Sequence, residues 1–92
     1  MLEVQLFVGN LPRSTTGREL RSLFGRAGDV TAVDVMTDRI TGGSLGYAYV
    51  TMSAQSEADK AVSIFNAYFL GEHSLKVTLV RNRGQRRFGA AG

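Results

Sequence analysis

Apolar residues in this chain recur with two different periods. Residues 4–9 and 45–52 are rich in β-branched and aromatic side chains, which predicts two strands whose successive positions sort into two faces. Residues 30–37 read the same way, with Val33 and Val35 inward and Asp34 and Met36 outward, and residues 75–80 place Leu75, Val77 and Leu79 inward. Leu20, Leu23, Phe24 and Ala27 recur instead at i, i+3, i+4 and i+7, one apolar face of a helix that Gly28 should stop. Its start is marked by Thr16-Gly17-Arg18-Glu19, where the Thr16 hydroxyl can accept from the amide three residues on and Glu19 can reach back. Ala58, Ala61, Val62 and Phe65 predict a second helix, beginning between Ser53 and Ser56, whose alanines allow close approach to a sheet. Asn10-Leu11-Pro12 breaks the first strand, Asp38 to Gly43 forms a polar loop, and Tyr68, Phe69 and Leu70 suit a short extra strand.

Strand, helix, strand, strand, helix, strand without long loops implies an α+β sandwich in βαββαβ order. Its antiparallel sheet has four strands, and both helices lie on one face. No helix is left for the other face. Alternation puts Leu6, Val8, Ala48, Val50 and Met52 on the helix side. The same alternation sends Phe7, Tyr47 and Tyr49, with Thr51, to the uncovered side, which Lys76, Thr78 and Val80 join from the last strand. A cluster of exposed rings needs a reason, because burying rings is strongly favourable. Stacking unpaired nucleic-acid bases is such a reason, since every base presents a π-face.

Composition narrows the chemistry. The 92 residues allow one small domain with a modest core. There is no cysteine and a single histidine, His73, so neither a disulfide nor a zinc site is expected, and no other cofactor is implied. No apolar run is long enough to span a membrane and no signal peptide is apparent, so a cytoplasmic monomer is expected, or a nuclear or organellar one if the source is eukaryotic. The formal charge of +3 is unevenly placed. Residues 1–80 hold seven basic and eight acidic side chains, whereas residues 81–92 hold Arg81, Arg83, Arg86 and Arg87 and no acid. A domain over 1–81 followed by an Arg/Gly-containing tail over 82–92, disordered alone and able to approach phosphates, is the expected organisation.

At Leu6-Phe7-Val8-Gly9-Asn10-Leu11 and at residues 45–52 the sequence resembles the RNA recognition motif family. The first segment fits that family's six-residue motif in full. The second fits its eight-residue motif at six positions, with Leu45 where Arg or Lys is usual and Met52 where Phe or Tyr is usual. The resemblance covers about residues 3–81 and implies a ferredoxin-like βαββαβ sandwich that binds single-stranded RNA without catalysis. It further implies that Phe7 and Tyr49 stack on neighbouring bases and that Tyr47 packs against sugars. Leu45 cannot pair with a phosphate, so one charge-assisted contact is missing, and the tail arginines are candidates to replace it. A lone domain with a short Arg/Gly tail also resembles the small single-domain RNA-binding proteins of bacteria, cyanobacteria especially, and the glycine-rich plant proteins.

Parts of this pattern also occur in proteins of other chemistry. Some domains of this kind bind peptides through the helical side with an Arg-x-Phe element after the second helix. Here that connection reads Asn66-Ala67-Tyr68-Phe69-Leu70, without arginine. Acylphosphatases share the element order, and Arg13 follows the first strand, but their Gly-rich phosphate cradle is absent, and no Ser/His/Asp or paired-carboxylate set appears. Single-stranded DNA stays open as a partner, because no residue visibly reads a 2′-hydroxyl. No small-molecule substrate is implied. Arg18, Arg21 and Arg26 fall on or near the first helix, His73 in a turn, and Asn10 where it shapes the chain reversal.

Overall fold

A computed structural model describes residues 3–80. The elements follow in the order β1 (Val4–Gly9), α1 (Gly17–Phe24), β2 (Val30–Thr37), β3 (Ser44–Met52), α2 (Gln55–Phe65), β4 (Phe69–Leu70), β5 (His73–Ser74) and β6 (Lys76–Leu79). Four strands form one antiparallel sheet in the spatial order β2-β3-β1-β6, and β4 and β5 pair as a separate small hairpin. Helix α1 packs over β2 and β3, and α2 over β1, β3 and β6, on the same side of the sheet. This is the expected ferredoxin-like α+β sandwich.

The core lies between helices and sheet. Leu6, Val8, Ala48, Val50 and Met52 from the central strands meet Leu20 and Phe24 of α1 and Ala58, Ala61 and Phe65 of α2, all buried. Phe24 and Phe65 join the two helices through rings 4.7 Å apart. Val33 and Val35 pack against this core from β2. Met52, where the family usually has an aromatic, is fully buried and fills space among these side chains.

Helix α1 starts where its capping box predicts. Glu19 N donates to Thr16 Oγ1 at 3.1 Å, and Thr16 N donates to Glu19 Oε1 at 2.9 Å. It ends earlier than its apolar spacing suggests, with Gly25 as the C-cap rather than at Gly28. The chain then tightens, Arg26 N donating to Leu23 O and Ala27 N to Phe24 O, three residues back. That turn still buries Ala27, which is why the apolar period outlasts the helix. Gly28 has a different role. A Cβ there would lie 2.5 Å from the Glu57 side chain, whose Oε1 accepts from Ser53 Oγ at 2.6 Å and Asp29 N at 3.2 Å. Glycine thus lets the turn before β2 dock on the start of α2.

The last strand needs a second correction. Leu79, expected inward, pairs with Leu6 yet remains 42% exposed, because among the described residues β6 is an edge strand with no neighbour on its outer side. Leu75 and Val77 are buried as expected.

Candidate nucleic-acid interface

The register of the sheet assembles the uncovered face. Phe7 on β1 lies opposite Tyr49 on β3, and Gly9 lies opposite Tyr47. On the other side of β1, Phe7 faces Thr78 and Gly9 faces Lys76 of β6. Tyr49 in turn faces Asp34 of β2. One row across the sheet therefore reads Asp34, Tyr49, Phe7, Thr78, and the next reads Tyr47, Gly9, Lys76. Directly paired side chains share a face, so these residues belong to the side opposite α1 and α2.

The three rings touch one another. Centroids lie 5.6 Å apart for Phe7 and Tyr47, 5.8 Å for Phe7 and Tyr49, and 6.2 Å for Tyr47 and Tyr49, in tilted or edge-on geometry. The expectation of freely exposed rings is corrected accordingly: all three are half-buried, since each shields part of its neighbours. The two edge-on contacts, both made with Tyr49, agree with the ring quadrupole.

Two residues that the sequence did not mark for the site hold it in shape. Gly9 is the seat of the Phe7 ring, and a Cβ there would lie 2.8 Å from Phe7 Cε2. Asn10 adopts a left-handed backbone, φ 60°, and its Nδ2 donates to Ser74 O at 2.8 Å, tying the end of β1 to the β4–β5 hairpin. Its expected turn role is thus joined by a tether. A shallow depression beside Phe7 is lined by Gly9, Asn10, Asn66, Ser74 and Lys76. On β3, Gly46 takes φ +88°, a conformation that disfavours other residues, and its carbonyl accepts from Leu11 N at 2.9 Å. This bends the start of β3 toward the loop after β1.

Lys76 and Thr78 are exposed on the uncovered face, as is Asp34 at its opposite edge. Leu45 is 50% exposed and offers no charge where the family usually has one. The basic side chains of α1 lie behind the sheet, Arg21 donating from Nη1 to Val30 O at 3.0 Å. Arg81, Arg83, Arg86 and Arg87 lie outside the described residues. Among the described residues no group of three His, Cys, Asp or Glu is placed to hold a metal, and no helix is long and apolar enough to cross a membrane.

The β2–β3 loop is held by its own side chains. Asp38 Oδ1 accepts from Ile40 N at 2.8 Å and Thr41 N at 3.0 Å, while Asp38 N donates to Gly43 O. The Thr41 amide first, then the Ile40 amide, hold the Asp38 carboxyl below its ordinary pKa.

An antiparallel sheet covered on one side and carrying three clustered rings on the other defines a two-layer βαββαβ domain with an open aromatic face. The chain belongs to the RNA recognition motif family, whose sequence pattern matches residues 6–76. It is 44% identical over 75 residues to the 29 kDa ribonucleoprotein A, chloroplastic, of Nicotiana sylvestris, covering 82% of this chain and 28% of that protein. It is 45% identical over 75 residues to the RNA-binding protein CP29B, chloroplastic, of Arabidopsis thaliana, covering 82% and 26%. The chain thus spans about a quarter of the length of these curated relatives. Among solved structures it is similar to the Sex-lethal protein/RNA complex, with a TM-score of 0.82 and 32% identity over 91% of this chain and 50% of that one. It is also similar to the Rna15 RRM with bound RNA (GU), with a TM-score of 0.78 and 26% identity over 96% and 97%.

Proposed function

We propose that the open face of the sheet is a platform for single-stranded RNA and that the chain acts by binding, with no bond made or broken. The carrying observation is the cluster of Phe7, Tyr47 and Tyr49, with centroids 5.6–6.2 Å apart, on the face that no helix covers among the described residues. Phe7 and Tyr49 each take a base, and Tyr47 packs against the sugar between them. Thr78 and Lys76 flank the path on the β6 side, with Lys76 facing a phosphate. Arg81, Arg83, Arg86 and Arg87 of the tail add phosphate contacts without choosing sequence. The domain over 1–81 works as a monomer, in the cytoplasm or in an organelle like the chloroplast named for its relatives.

Magnitudes set the expected affinity. Two stacked bases contribute about 1–3 kcal/mol each, whereas a micromolar complex needs roughly 8 kcal/mol. Sugar and phosphate contacts supply the rest, and with Leu45 in place of a cation the complex stays micromolar. Fluorescence anisotropy with short oligonucleotides tests this. Single-stranded RNA should bind in the micromolar range, duplex RNA far more weakly, and Phe7→Ala and Tyr49→Ala should each lose about 1–3 kcal/mol. Unchanged binding by both variants would sink the proposal. Equal binding of single-stranded DNA would widen the ligand class. Loss of binding only on substitution of the helical side would favour a protein partner instead.

A further inference from the structure

Asp34 stands at the β2 end of the row that Tyr49 and Phe7 occupy, directly opposite Tyr49 and exposed on the same face. Directly paired residues of an antiparallel sheet have Cβ atoms about 5 Å apart, within reach of a base lying on the neighbouring ring. The carboxylates that accept hydrogen bonds among the described residues are those of Glu19, Asp38, Glu57 and Asp59, and Asp34 is not one of them. A carboxylate accepts only, through two oxygens side by side. It repels phosphate, so the backbone of a bound strand passes toward Lys76 and leaves Asp34 to a base edge.

We infer that Asp34 selects guanine at the nucleotide stacked on Tyr49, an inference that rests on the RNA platform proposed above. Of the four bases, guanine alone presents two adjacent donors, N1–H and the 2-amino group, on its Watson–Crick edge. They match the two carboxylate oxygens as a bidentate, charge-assisted pair. Uracil offers one N–H between two carbonyls. Adenine and cytosine each set a ring-nitrogen acceptor beside their single amino group. All three bring a lone pair against the carboxylate. The bulge that offsets β2 between Val30 and Ala32 helps to set this pairing, since it shifts the alternation by one residue, so that Val30, Val33 and Val35 all pack on the core while Asp34 faces out.

The test is anisotropy with short single-stranded RNAs that differ at one position, carrying guanosine, inosine, adenosine, cytidine or uridine. Wild-type protein should prefer guanosine by roughly ten-fold, within the range of a bidentate base contact. Inosine, which lacks the 2-amino group, should lose most of that preference. Asp34→Asn should abolish it while binding the other strands as well as or better than wild type, and its melting temperature should match wild type because the side chain is exposed. Tyr49→Ala should weaken all strands alike. No binding of any strand by the wild type would overturn the platform and this inference together. Equal binding of guanosine and adenosine strands, inosine as good as guanosine, or a preference that survives Asp34→Asn would overturn this inference alone.

Discussion

A ring that must receive a base cannot lie fully in the core, and a ring left wholly in water is dear to maintain. Phe7, Tyr47 and Tyr49 avoid both extremes by leaning against one another, Tyr49 edge-on to the other two and Phe7 tilted on Tyr47, which buries part of each ring. The arrangement depends on a residue with no side chain. In Gly9→Ala the new methyl would lie 2.8 Å from Phe7 Cε2, and the ring, being the movable partner, should swing off its seat. RNA affinity should fall by about 1 kcal/mol with little change in melting temperature, as read by anisotropy and thermal denaturation. Val50→Ala, on the buried side of β3, should do the reverse. It removes the equivalent of two buried methylenes, about 2 kcal/mol with the cavity, and should lower the melting temperature by roughly 10 °C while RNA binding at low temperature holds. If the two variants exchanged phenotypes, the assignment of faces would be inverted.

At the scale of elements, local devices set the boundaries, and each can be broken singly. Thr16→Ala removes one half of the α1 capping box and should destabilise the domain by about 1 kcal/mol, measured by urea denaturation. The β2–β3 loop depends on the Asp38 carboxylate, whose pKa is depressed, so its stabilising bonds persist at neutral pH and well into the acid range. They are lost only as pH falls through that lowered pKa. An NMR titration should show the Ile40 and Thr41 amide resonances moving together at that point, and Asp38→Asn should remove the transition. Amides that titrate near the ordinary carboxylate pKa would contradict it. The capping box and the strand alternation were legible in the sequence because both rest on residues a few positions apart. The end of α1 was not, because Ala27 stays buried in a tighter turn after the helix stops. Nor was the exposure of Leu79, which depends on β6 standing at the sheet edge. Of the site, the outward set of Phe7, Tyr47, Tyr49, Lys76 and Thr78 follows from alternation alone. That Asp34 stands beside Tyr49 follows from strand pairing and a bulge, which no local pattern reveals, whereas alternation puts Gly9 on the face of Phe7 and only the ring's lean shows that it is the seat.

Taken whole, residues 1–80 are close to neutral, so long-range attraction for a polyanion should come from the segment after them. For single strands the logarithmic salt slope is about −0.7 per phosphate neutralised. Removing residues 82–92 deletes Arg83, Arg86 and Arg87 and leaves Arg81. A salt titration should then show weaker binding and a slope shallower by up to about 2, with the ranking of RNA sequences preserved. Equal slopes would make the tail a bystander, and a reordered ranking would show that it reads bases.

The strand order carries a consequence for how the chain is made. β1 precedes the other described elements along the chain, yet it sits between β3 and β6, the last of those elements. While a ribosome is still extending the chain, Leu6 and Val8 have no finished sheet to join, and one edge of β1 stays unpaired until Lys76–Leu79 has left the exit tunnel. A product that stops short of β6 therefore displays an unpaired apolar strand edge suited to aggregation or to capture by a chaperone.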